Sequence, residues 1–134
     1  MRGRHLIVPA LAPVVALAVA AGSTPGTAAS TAARAASTTV TIKAQGVDLS
    51  GLVKSPRRSC VDGRKVVVFK QVGTRGGGDD VRFASDTAQL AMSGGFAEWS
   101  TGNTGTPGRF YAKVNRTAHC LGDTSPTIRA RRSS

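Results

Sequence analysis

Read as apolar and polar positions, the chain falls into three regimes. From Leu6 to Ala21 no residue is charged and apolar residues dominate. Residues 22–38 are almost entirely Ala, Ser, Thr and Gly. Beyond Thr38 apolar positions recur every second residue, the signature of half-buried strands. In "TTVTIKA", Val40, Ile42 and Ala44 face one side and Thr39, Thr41 and Lys43 the other. "VDLSGLV" keeps Val47, Leu49 and Val53 on one parity, with Gly51 and Leu52 interrupting it, where a bulge is expected. After the turn-rich "KSPRRSCVDGR", closing on Asp62-Gly63, "KVVVFKQ" has the β-branched and aromatic content of a central strand.

"VGTRGGGDD" reads as loop, and "VRFAS" sets Val81, Phe83 and Ser85 against Arg82 and Ala84. "DTAQLAMSGG" fits either a strand edge or one turn of helix, and "GFAEWS" is a short strand. "GRFYAKV" places Phe110, Ala112 and Val114 on one face and Arg109, Tyr111 and Lys113 on the other. "PTIRAR" turns Ile128 and Ala130 inward and Arg129 and Arg131 outward. About seven short strands, with turn signals between them and no long helical pattern, predict an all-β domain. The expectation is a single Greek-key β-sandwich, transthyretin-like or Ig-like, over residues 39–131, with a tail at 132–134.

The first regime changes the picture of where the domain works. Arg2 and Arg4 precede the apolar run, and small residues follow it, as in a secretory signal peptide. Pro9 and Pro13 interrupt the run, which is shorter than the ~20 residues of a membrane span. We therefore expect a signal peptide over 1–29, cleaved somewhere within 20–36, a flexible lead-in over 30–38, and no stable membrane span after processing. The expected location is extracellular or at the cell envelope. In such a compartment the only two cysteines, Cys60 and Cys120, read as a structural disulfide. Cleavage after Ala35 leaves 15 basic and seven acidic residues, a net +8. That excess favours anionic partners.

Two stretches carry a resemblance. "VDLSGLVKSPRRSCVDGRKVVVFKQ" has a strand ending in G-x-V, a Pro-containing loop and an apolar strand. "SDTAQLAMSGGFAEW" followed by "GTPGRFYAKV" is similar to a T-x-x-x-G-x-F strand and a P-G-x-[FY]-x-A/L-x-V strand. Together they resemble the transthyretin-like or carboxypeptidase-regulatory-like (prealbumin-type) β-sandwich, in its small secreted bacterial form. Gly94-Gly95-Phe96 departs from the simpler G-x-F of that pattern, and the broad family does not require Cys60 and Cys120. The resemblance implies a non-catalytic module: an accessory domain, a surface or wall protein, or a carbohydrate-associated sandwich.

The inventory for catalysis is thin. His119 is the one imidazole beyond the leader, and no G-x-S-x-G elbow accompanies it. His119, Cys120 and Asp123 fall short of a zinc set once Cys120 is oxidised. Asp79-Asp80 lacks the oxygen array of a calcium loop, and "GTRGGG" lacks the G-K-[ST] ending of a phosphate loop. Asn115-Arg116-Thr117 matches a glycosylation sequon, which acts only in a host that reads it. No enzyme activity and no cofactor are expected.

A basic-aromatic face is the candidate that remains. If the last two strands pair, Arg109, Tyr111, Lys113, Arg129 and Arg131 share the outer side of one sheet, able to meet anionic sugars or phosphates by paired hydrogen bonds and stacking. The plain alternative is a solvated sheet face whose charges guard the edge. Trp99 fits either a core plug or a stacking platform. The expected role is a binding or scaffolding module for an anionic or carbohydrate envelope polymer, with an extracellular protein as another partner and nucleic acid disfavoured. The alternative is a hydrolase inhibitor presenting the loop "STGNTGTPG". Five glycines from Gly94 to Gly108 argue against the rigidity that role needs.

Overall fold

The computed structural model describes residues 34–133, so the expected leader, 1–29, and residues 30–33 lie outside the described residues. Ten short strands follow in order: β1 (Thr39–Val40), β2 (Lys43–Gln45), β3 (Asp48–Lys54), β4 (Lys65–Lys70), β5 (Val81–Thr87), β6 (Gln89–Leu90), β7 (Phe96–Asn103), β8 (Gly108–Val114), β9 (Asp123–Thr124) and β10 (Ile128–Ala130). One turn of 3-10 helix, Arg58–Cys60, precedes β4. The first sheet runs β1-β3-β7-β6, with β2 beside β3, and the second runs β10-β8-β4-β5, with β9 beside β8. All pairings between the strands are antiparallel. The chain changes sheet between β3 and β4, β5 and β6, and β7 and β8, so β3–β7 in one sheet interlock with β4–β8 in the other. This is the strand order of an immunoglobulin-type Greek-key sandwich.

The inward positions of both sheets form one core. Leu49, Val53, Ala97 and Trp99 from the first sheet meet Val66, Val68, Phe110, Ala112 and Val114 from the second. Trp99 is therefore a core residue, 2% exposed, rather than a stacking platform. Its seat depends on Gly51, directly opposite on β3. A Cβ at Gly51 would stand 1.9 Å from the Thr41 carbonyl oxygen and 2.8 Å from Trp99 Nε1. The indole instead donates to that carbonyl at 3.1 Å. Thr41 also breaks the predicted first strand into β1 and β2, because its hydroxyl, not a carbonyl, accepts the Leu52 N–H at 2.9 Å.

The bulge expected at Gly51 lies elsewhere. β3 alternates through Leu49, Gly51 and Val53, and the extra residue is Thr101 on β7, between the partners of Leu49 and Ser50. A second bulge makes Phe83 the extra residue on β5. Its ring packs on Phe110 with centroids 4.9 Å apart, Ala84 then turns inward opposite Val68, and Ser85 faces outward, reversing the predicted parity there. "DTAQLAMSGG" takes the strand-edge alternative, with a change of sheet inside it. Buried Ala88 still bonds to Gly63 and Arg64, and the next two residues, β6, pair with β7 in the opposite sheet.

One end of the sandwich is closed by a clasp of which the sequence pattern foretells only the disulfide. Cys60 and Cys120 form the expected disulfide. Beside it Arg64, 6% exposed, donates through Nη1 to the Cys60 carbonyl (3.0 Å) and Thr38 Oγ1 (3.3 Å), and through Nη2 to the carbonyls of Asn115 (2.7 Å) and Leu121 (3.1 Å). The expected lead-in joins this clasp: the Ala36 N–H donates to His119 O at 3.0 Å, and Ala36 O accepts from Leu121 N–H at 2.8 Å. Residues 36–38 are thus tied into the domain, which corrects their assignment to a loose lead-in.

Two substitutions test this packing. Gly51→Ala should destabilise the domain by at least about 3 kcal/mol, since neither the Thr41 carbonyl nor the indole can yield without losing its own bond. Arg64→Met should cost about 3 kcal/mol, by leaving several oxygens without a donor. Urea unfolding of both variants against wild type measures the losses, and a loss below about 0.5 kcal/mol for either contradicts the assigned role.

Candidate functional site

The predicted pairing of β8 with β10 is present: Arg109 lies opposite Arg129 and Phe110 opposite Ile128. On the outer face of the second sheet, Phe69 sits between Tyr111 and Arg82, and Val67 between Lys113 and Ser85. Arg129, Arg109, Lys113 and Arg82 therefore surround an apolar centre of Val67, Phe69 and Tyr111. Lys113, Arg129 and Arg131 are exposed, and Arg109 is half-buried.

Tyr111 departs from its expected role. It is 3% exposed, its ring stacks on Phe69 with centroids 5.4 Å apart, and the loop of residues 71–80 holds its hydroxyl. Tyr111 Oη donates to Asp80 Oδ2 at 2.6 Å, and the same carboxylate accepts the N–H groups of Gly76 (2.8 Å) and Val72 (3.1 Å). Arg109 Nη2 donates to the Val72 carbonyl at 3.0 Å, and Arg75 Nη1 to the Ser125 carbonyl. The loop is a latched cover, and the ring beneath it is closed to a ligand. Asp80 was legible only as a solvated turn acid, because nothing local to Asp79-Asp80 points to a strand 31 residues away.

Three of the other six acidic residues show the same habit. Asp123 Oδ2 accepts Val40 N–H at 2.8 Å, Asp86 Oδ2 accepts Ser100 N–H at 2.8 Å, and Asp62 Oδ1 accepts Leu90 N–H at 3.1 Å. Every arginine hydrogen bond among the described residues ends on a carbonyl or hydroxyl oxygen: Arg57 on His119 O, Arg64 on its four partners, Arg75 on Ser125 O, Arg109 on Val72 and Gly73, and Arg132 on Gly105 O. Four of the seven carboxylates are thus engaged by backbone donors, and none of these arginine hydrogen bonds ends on a carboxylate. Among the described residues no group of three or more His, Cys, Asp and Glu side chains is placed to hold a metal ion. Asp123 is engaged at Val40, and His119 is an exposed loop residue whose carbonyl serves the clasp.

Away from this face, a groove of about 450 Å³ crosses the outer side of the first sheet, lined by Lys43, Leu52, Asp86, Leu90, Met92 and Glu98 among others. Its walls carry both signs of charge, so it selects for neither. No protein-family model matches the chain, and no curated protein matches it either.

The latch sets a pH dependence. The Tyr111 hydrogen bond, helped by the two backbone donors, holds the Asp80 carboxyl below its ordinary value. Its bonds therefore favour the closed loop above pH about 4 and are lost as pH falls through the lower folded value. Burial, then the bond to Asp80, raises the Tyr111 phenol above its ordinary value. Tyr111 is the only tyrosine, so phenolate absorbance reports it alone. We expect its titration midpoint above about 10, moving part of the way down in Asp80→Asn. In the same variant the amides of Val72 and Gly76 should lose hydrogen-exchange protection at neutral pH. An ordinary midpoint unchanged by Asp80→Asn contradicts the latch.

Proposed function

We propose that the protein is a secreted or cell-envelope binding module without catalytic activity, directed at an anionic polymer. The observation that carries this reading is the arrangement of charge: four of the seven acids bond backbone amides, while Lys113, Arg82, Arg129 and Arg131 lie exposed around one sheet and its edge. The described residues carry 16 basic side chains against seven acidic ones, and Arg64 alone of the cations is buried. A surface of that sign attracts polyanions through long-range fields that salt screens within about 10 Å at 0.1 M. The resemblance to small secreted transthyretin-like sandwiches supports the same non-catalytic role. So does the leader pattern, which supports export.

A specific observation also favours a hydrolase inhibitor. The loop after β7 is stitched despite its glycines: Thr104 Oγ1 donates to Val47 O at 2.7 Å, Asn103 Oδ1 accepts Gly105 N–H at 2.9 Å, and Arg132 Nη2 donates to Gly105 O at 3.2 Å. A braced, exposed loop is the form such an inhibitor requires.

Binding of the mature protein to an immobilised anionic polymer at rising salt separates the two. The polymer reading predicts affinity that falls at least tenfold between about 50 and 200 mM salt. Salt-insensitive, stoichiometric inhibition of a hydrolase, with no polymer retained at low salt, overturns it.

A further inference from the structure

The exposed cations are not spread evenly, and one set of them forms a groove. At the outer edge of the second sheet, Arg129, Ala130, Arg131 and Arg132 face Pro107 and Gly108 across a shallow cleft of about 510 Å³, and no carboxylate lines it. β10 pairs in a ladder with β8 alone, with β2 of the other sheet packed nearby. Arg129 stands directly opposite Arg109, a like-charge pair that an unliganded sheet disfavours. Arg109 turns its guanidinium to the Val72 and Gly73 carbonyls, which leaves Arg129 facing solvent. Arg131 follows two residues on, about 7 Å along an extended chain. The hydrogen bond from Arg132 to Gly105 O ties the far end of the cleft to the loop before β8. Gly108, at φ 147°, has no side chain and leaves backbone at the opposite wall.

We propose that this cleft is an oxyanion anchor for a chain of phosphate groups. The inference rests on the polyanion reading above and locates its site and chemistry. Three guanidinium groups and no lysine line the cleft, and the planar fork of arginine pairs with phosphate oxygens through two parallel hydrogen bonds. Sugar-ring or base stacking has no platform within the cleft, because no aromatic residue lines it. Recognition is therefore by charge and oxyanion geometry, blind to the rest of the polymer.

The test uses the folded mature domain and three labelled probes: inorganic polyphosphate, a polyuronate of equal charge, and single-stranded DNA. Wild type should bind polyphosphate more tightly than polyuronate, and DNA no more tightly than polyphosphate. The triple variant Arg129→Ala, Arg131→Ala, Arg132→Ala should lose at least tenfold in affinity, and its salt slope should fall by about two. A matched variant, Lys43→Ala, Lys54→Ala, Lys65→Ala, removes three exposed cations elsewhere and should lose far less. Arg129→Lys with Arg131→Lys keeps the charge but not the fork and should fall between them, with unchanged thermal unfolding. Equal losses in the two triple variants overturn the anchor but leave the polyanion reading standing. Equal affinity for polyuronate overturns the phosphate assignment, and tighter binding of DNA moves the site to nucleic acid. Failure of wild type to bind any of the three defeats the reading itself.

Discussion

The structure turns on a buried guanidinium that has no acid to neutralise it. Arg64 reaches the backbone on both sides of the disulfide, the lead-in threonine and the connection after β8, and all its acceptors are neutral oxygens. Burial lowers its pKa, as expected where water is removed and nothing negative replaces it. The charge is tolerated because the donors meet oxygens that the same folding event would otherwise leave dry. Among the described residues no buried side-chain nitrogen or oxygen lacks a partner. The disulfide shortens the unfolded chain's reach by joining residues 60 apart, worth about 4 kcal/mol in the chain-entropy account. Arg64 then fixes the geometry that the cross-link alone leaves loose.

How the rest of the charge is placed follows from this economy. With Arg64 satisfied by carbonyls, no carboxylate is needed inside. Asp62, Asp86 and Asp123 hold backbone amides where strands begin or change sheet, and Asp80 latches the loop over Tyr111. The surface keeps its cations as a consequence of how the interior is built. The proposed function draws on that surplus.

Much of this architecture was legible in the sequence. Period-two alternation and, at "KVVVFKQ", β-branched and aromatic content located most of the main strands, and Ile128, Arg129 and Ala130 took the sides their parity assigned. Compartment and count gave the Cys60–Cys120 pairing. What escaped was long-range. The bulges at Thr101 and Phe83 arise from register between strands distant in sequence, so local parity carried no trace of them. Gly51 looked like an interruption because only the folded state shows a carbonyl where its Cβ would stand. Tyr111 sat on the correct side of β8, yet its exposure was decided by a loop whose glycines gave no hint that it folds back. Arg64 was invisible for the same reason: its acceptors lie 4 to 57 residues away.

The central claim is that Arg64 is a fixed internal donor, and NMR of its side-chain Nη protons tests it most directly. If the guanidinium is held as described, those protons appear as separate, slowly exchanging resonances, with rotation about each Cζ–Nη bond hindered. Exposed Arg58 in the same spectrum provides the averaged, rapidly exchanging reference. Arg64 protons that average and exchange like those of Arg58 contradict the clasp, and with it the account of how this sandwich is closed.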